Sequence, residues 1–208
     1  LHSFPTRRSS DLMRNHLGKR GALHHPNKLA QNATDLLEVY CSQESSLTKT
    51  ARQLGMSANR HGLSDGDLAT CEGRCKLYDR MLELLPRNIW LSPKCRAWCR
   101  WNTYNMSKSP EMAQRILQAR ENDVVHLLLC DALFQFQTWR SKNSHAHLEQ
   151  PVGSHMMFQE ELAAIRQQTW RARCDMCTAG RLRHPISHEF LQKGTQVLTT
   201  SYIMKERS

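Results

Sequence analysis

The chain lacks any apolar run long enough to cross a membrane. Its longest, Val124 to Cys130, is broken by His126, whereas a spanning helix needs about 20 consecutive apolar residues. Glycine and proline are scarce, 9 and 7 in 208 residues, which excludes collagen-like and low-complexity architectures. No internal repeat is visible, so solenoids and propellers are excluded too. Acidic residues are in short supply: 19 Asp and Glu face 29 Lys and Arg, a formal net charge of +10. What is present suits a single packed domain. The hydrophobic fraction is 39%, and the length fits one domain better than two. The positive surplus favours a polyanionic partner such as nucleic acid; a basic surface without a partner is the plainer alternative.

Leu1 to Leu12, LHSFPTRRSSDL, resembles a sequencing adapter translated in frame and is expected to lie outside the folded protein. Met13 to Thr34 carries Arg14, Lys19, Arg20 and Lys28, no acid, and Gly18, Gly21 and Pro26. It has no apolar core of a secretory signal and reads as a basic, flexible arm. The eight cysteines are Cys41, Cys71, Cys75, Cys95, Cys99, Cys130, Cys174 and Cys177. A chain of this length does not need disulfides, so they are read as reduced thiols of an intracellular protein.

From Asp35 onward, strand and helix signals alternate. Asp35 to Tyr40 reads as a strand, Cys41 to Ser45 as a turn, and Ser46 to Leu54 as a helix stopped by Gly55. Ser57 to Arg60 is a second, short strand. Leu77, Met81, Leu82 and Leu85 carry a helix over Cys71 to Leu85, ended by Pro86. Asn88 to Leu91 is a compact strand. Ser109-Pro110-Glu111 combines an N-cap, a first-turn proline and a first-turn acid, and opens a helix that runs to about Trp139. Ala146 to Glu149 reads as a strand, Phe158 to Gln168 as a helix, and Gln196 to Ser201 as a last strand. Cys71/Cys75 and Cys95/Cys99 are spaced to share one helical face each. This alternation predicts an α/β fold with a mainly parallel sheet and helices on both faces.

In open α/β sheets ligands sit at the carboxyl edge. Three strand ends present polar residues there: Glu38-Val39-Tyr40-Cys41-Ser42-Gln43-Glu44-Ser45, then Ser92-Pro93-Lys94-Cys95, then His147-Leu148-Glu149-Gln150-Pro151. With the Lys193 to Thr200 run, this order resembles the catalytic domain of DNA (cytosine-5) methyltransferases, in the divergent form found in polyproteins of eukaryotic retroelements. The resemblance spans about Asp35 to Ser201 and implies a Rossmann-like fold that binds S-adenosylmethionine. It casts Glu38, Tyr40, Cys41, Ser42 and Ser45, with Asp67, Ser92 and Pro93, as the cofactor site. Cys95 would be the nucleophile that adds to C6 of cytosine, and Glu149 the acid that contacts N3. Lys94, Arg96, Arg100 and Trp101 would meet nucleic acid.

Several positions depart from the family's pattern. No glycine stands in the first turn, Lys94 replaces the proline before the nucleophile, Gln150 replaces an asparagine, and Arg60 stands near the usual ribose-binding acid. The plainer alternatives are an ordinary strand-to-helix turn, a structural cysteine among tryptophans, and a surface glutamate paired with an arginine. The chain ends soon after the last predicted strand, so a domain over residues 35–208 is expected to be incomplete at its C-terminus. One pattern competes: Cys174, Cys177, His184 and His188 give C-x2-C-x6-H-x3-H, whose pairs have zinc-ligand spacing. A zinc-stabilised interaction module and a catalytically inactive nucleic-acid-binding module are the other two readings.

Overall fold

A computed structural model describes residues 33–175 and 194–206. Six strands form one sheet in the order β2-β1-β3-β4-β6-β5. They are β1 (Leu36–Cys41), β2 (Ala58–Gly62), β3 (Asn88–Leu91), β4 (His145–Pro151), β5 (Trp170–Asp175) and β6 (Gly194–Thr199). The pairs β1/β2, β1/β3 and β3/β4 are parallel, whereas β4/β6 and β5/β6 are antiparallel. The fold is therefore α/β as expected, but its sheet is mixed rather than mainly parallel. The reason lies at the C-terminal end, where β6 inserts between β4 and β5 and runs against both.

The helices are α1 (Ser46–Gln53), α2 (Cys71–Leu84), α3 (Trp101–Met106), α4 (Pro110–Arg140), α5 (Ala163–Gln168) and α6 (Tyr202–Glu206). Alternate residues of a strand point to opposite faces. On one face Leu37, Val39, Ile89, Leu91, Ala146 and Leu148 are buried against Leu77 and Met81 of α2 and Leu127, Cys130 and Leu133 of α4. On the other, Leu36 packs with Ala51 of α1 and Ala58. Helices thus cover both faces, unequally. The second face is polar further along: Asn88, Trp90, His147, Glu149 and Thr199 follow one another by register.

Local chemistry explains the boundaries. Ser109 accepts from the Met112 amide at 3.1 Å, and Pro110 opens α4. Thr70 caps α2 by accepting from the Gly73 amide at 3.0 Å. A side chain at Gly73 would put its Cβ 2.0 Å from the Asp67 carbonyl oxygen, so only glycine lets α2 start this close to the preceding loop.

Three expectations need correction. The helix predicted over Phe158 to Gln168 is two 3-10 turns, His155–Phe158 and Glu160–Leu162, followed by α5. The Arg166 guanidinium donates to the carbonyls of Met157 (3.1 Å) and Gln159 (2.5 Å), groups an α-helix would have used itself. Cys95 and Cys99 flank a 3-10 turn, Arg96–Trp98, instead of sharing an α-helical face. The polar and aromatic stretch after it, for which the sequence predicts no element, contains α3. β5 was not foreseen at all.

Candidate functional site

The strand order places a switch point between β1 and β3, because the chain leaves β1 for β2 on one side and returns to β3 on the other. A crevice at the carboxyl ends of such strands is the usual ligand position in open α/β sheets. Here the ends of β1, β3 and β4 are tied together. Ser92 donates its amide to the Val39 carbonyl of β1 at 3.2 Å. Its hydroxyl donates to Glu149 Oε2 at 3.0 Å. The Trp90 indole donates to the same oxygen at 3.1 Å. Register explains the contact: Leu91 pairs with Leu148, so the next residues, Ser92 and Glu149, meet. Gln150 then donates to the Pro93 carbonyl at 2.7 Å and accepts from Ser154 at 2.9 Å. The predicted Ser-Pro-Lys-Cys loop and the predicted glutamate therefore share one sheet edge.

Cys95 follows on that loop and is half-buried, with Lys94, Arg96 and Arg100 exposed around it. Its turn is clamped from outside. Asn102 donates to the carbonyls of Arg96 (2.8 Å) and Ala97 (2.9 Å). Arg120 of α4 donates to Ala97 at 3.1 Å and lies 5.4 Å from the ring of the buried Trp98. Trp101, in contrast, is exposed. Cys41, Cys71, Cys75, Cys95, Cys99 and Cys130 are free thiols.

The turn after β1 forms in an unexpected way. The turn holds no glycine, and Tyr40 itself takes φ 67 at a β-bulge between Val39 and Cys41. Glu38 is buried and holds the turn from below. Its Oε2 accepts from the Thr48 hydroxyl (2.6 Å), the Thr48 amide (3.2 Å) and the Ser45 hydroxyl. Glu38 and Ser45 are thus bound to the start of α1, while Ser42 is exposed above them.

The Tyr40 ring meets His126 of α4 edge-on at 5.5 Å, with its hydroxyl 3.4 Å from His126 Nδ1. Burial pushes the Tyr40 phenol and the Cys130 thiol up and the His126 imidazole down. Asp123, Asp67, Lys94 and Arg74 lie within electrostatic reach of His126. Asp67 is exposed at the rim, accepting from the Ala69 amide at 3.0 Å. Arg60 pairs with Asp65 at 3.1 Å. His126 and Asp123 were not singled out from the sequence. The available signal was a lone histidine inside the Val124 to Cys130 run.

Behind Glu149, His147 is almost fully buried. Its Nδ1 is 2.8 Å from Thr199 Oγ1, its Nε2 is 3.3 Å from Asn88 Oδ1, and its ring lies 5.4 Å from that of Trp90. Burial, helped by His145, drives its pKa down to about 4, against about 6.5 in an unfolded chain. Between those values the unfolded chain binds a proton that the folded one refuses. Stability is therefore fully present above about pH 6.5 and is lost as pH falls to about 4. We expect a loss of about 3 kcal/mol over that window from this group. Urea unfolding at a series of pH values checks it; His147→Gln should flatten the slope, and an unchanged slope would refute the assignment.

Cys177, His184 and His188 lie outside the described residues, as does the side chain of Cys174 at the end of β5. No His/Cys/Asp/Glu group able to hold a metal occurs among the described residues, and none of their helices is long and apolar enough to cross a membrane. No protein-family model matches this chain, and neither a curated protein nor a solved structure does.

Proposed function

We propose that this domain is an S-adenosylmethionine-dependent, cytosine-5 methyltransferase-like module of retroelement type, with DNA as its partner. The observation that carries the reading is the 3.0 Å hydrogen bond between Ser92 and Glu149, residues 57 positions apart. It joins the two segments in which the resemblance seats the nucleophile and the base-holding acid, at one edge beside a switch point.

On this reading the nucleoside half of the cofactor lies at the carboxyl ends of β1 and β3, near the exposed Ser42 and Asp67 and the Ser92-Pro93 turn, while the Tyr40 ring packs inward against His126. Glu38 and Ser45 shape the turn beneath. When bound, the cofactor supplies the methyl group. The chain's own residues do the rest. Cys95 supplies the sulfur nucleophile, with Lys94, Arg96 and Arg100 exposed around it to meet the phosphate backbone. The Cys95 thiolate adds to C6 of cytosine as the C5=C6 π bond opens and makes C5 nucleophilic; once C5 is methylated, loss of its proton to water re-forms the double bond and expels the thiolate. Glu149 keeps Oε1 available for the base, since its hydrogen bonds from Trp90 and Ser92 both go to Oε2. A base inside a duplex must first be flipped out.

Calorimetry with S-adenosylmethionine, followed by transfer of a labelled methyl group to cytosine-containing DNA, tests the reading. Binding and transfer are expected. Absence of binding at millimolar cofactor overturns it. One observation favours a second reading, a catalytically inactive nucleic-acid-binding module: Glu38 already fills the start of α1, and no glycine opens the turn above it. That module would bind DNA with a marked salt dependence and ignore the cofactor.

A further inference from the structure

Past the edge that carries Cys95 and Glu149, the two segments continue as the facing walls of one groove of about 1040 Å³. One wall is Arg100 with Trp101 and Tyr104 of α3. The other is Gly153, His155 and Phe158, which follow β4. The walls touch where Thr103 Oγ1 and His155 Nε2 lie 3.2 Å apart. Arg100 crosses the floor, its Cδ 3.9 Å from where a Cβ at Gly153 would stand.

Three of the lining rings are exposed: Trp101 at 74%, Phe158 at 62% and Tyr104 at 58%. All three stand on the walls of this one groove. One guanidinium, that of Arg100, lines the groove and no carboxylate does among the described residues; Lys108, outside the lining, holds its ammonium 4.6 Å from the Tyr104 ring centre. Flat rings interleaved with cations match one ligand chemistry best: unstacked bases on a phosphate backbone. A duplex has its base faces already covered, so it cannot use the rings.

We infer that this groove binds single-stranded nucleic acid, stacking bases on Trp101, Tyr104 and Phe158 while Arg100 and Lys108 neutralise phosphates. The inference rests on the reading above only in taking nucleic acid as the partner. It adds a track for the strand flanking a base held at the Cys95 and Glu149 edge.

Anisotropy titrations of the full chain with labelled oligodeoxythymidylate and oligouridylate of about twelve nucleotides test it without any cofactor. At least one should bind, and the pair tells DNA from RNA. Trp101→Ala and Phe158→Ala should each weaken binding about tenfold, and circular dichroism should show their fold unchanged. Arg100→Gln should lower the slope of log K against log salt by about 0.7. No binding, unchanged affinity in both aromatic variants, or tighter binding of the same sequence as a duplex overturns the groove assignment. Because no cofactor is present, failure of methyl transfer leaves this outcome untouched, so the two readings fail separately.

Discussion

Changing Cys95 to serine is expected to lower methyl transfer to cytosine by about three orders of magnitude or more, the scale on which loss of a covalent nucleophile is felt. A serine hydroxyl is smaller than a thiol and keeps the shape of the side chain, but it is scarcely ionised at neutral pH, so it cannot attack C6 at a useful rate. Cys95 is half-buried, and its turn is held by Asn102 and Arg120 through backbone carbonyls. The substitution should therefore leave the fold and the affinity for S-adenosylmethionine unchanged. Single-turnover transfer, cofactor calorimetry and thermal unfolding of both proteins separate these effects. Retained transfer in the serine variant would remove the covalent mechanism. Glu149→Gln makes a useful companion, because Ser92 and Trp90 can still donate to its amide oxygen and keep the two strand ends joined.

Removing the Glu38 carboxylate should produce the largest loss of stability. Glu38 is only 7% exposed, and one of its oxygens receives two hydroxyls and a backbone amide. Hydrogen bonds to charged groups contribute about 1.5 to 3 kcal/mol each, and stranded buried donors add a further penalty. The donors are not independent: Ser45 can still accept from the Thr48 amide, at 3.4 Å. Glu38→Ala is thus expected to cost about 4 kcal/mol, seen as a lower urea midpoint at an unchanged m value. Glu38→Gln, which keeps an acceptor oxygen in place, should cost less than half of that. A change of under about 0.5 kcal/mol for Glu38→Ala, the size of an ordinary surface substitution, would show that the turn is held by something else.

The contrast between these residues shows what a sequence makes visible. Ser109-Pro110-Glu111 announces α4 because a cap, a ring-fixed φ and a first-turn acid act within one helical turn. Leu77 and Met81 announce α2 because burial imposes the helical period. Glu38 was legible as an acid at a strand end, but its work depends on Thr48, reached only after the chain has turned back. The left-handed backbone at Tyr40 carries no local signature, since an aromatic residue is among the last expected there. β5 carries only a faint pattern: Ala172 faces inward between the exposed Arg171 and Arg173, and two arginines in six residues argue against a strand on composition alone. The antiparallel insertion of β6 is a long-range choice that no local pattern encodes. Of the candidate site, the Cys95 loop and Glu149 were legible from their order along the chain. His126, Tyr104 and Phe158 were not, because only folding brings them beside those segments.

Among the described residues β5 stands at the margin of the sheet. Ala172 turns inward while Arg171 and Arg173 are exposed, so laying another sheet over that outward side would strip water from two guanidiniums, a costly step.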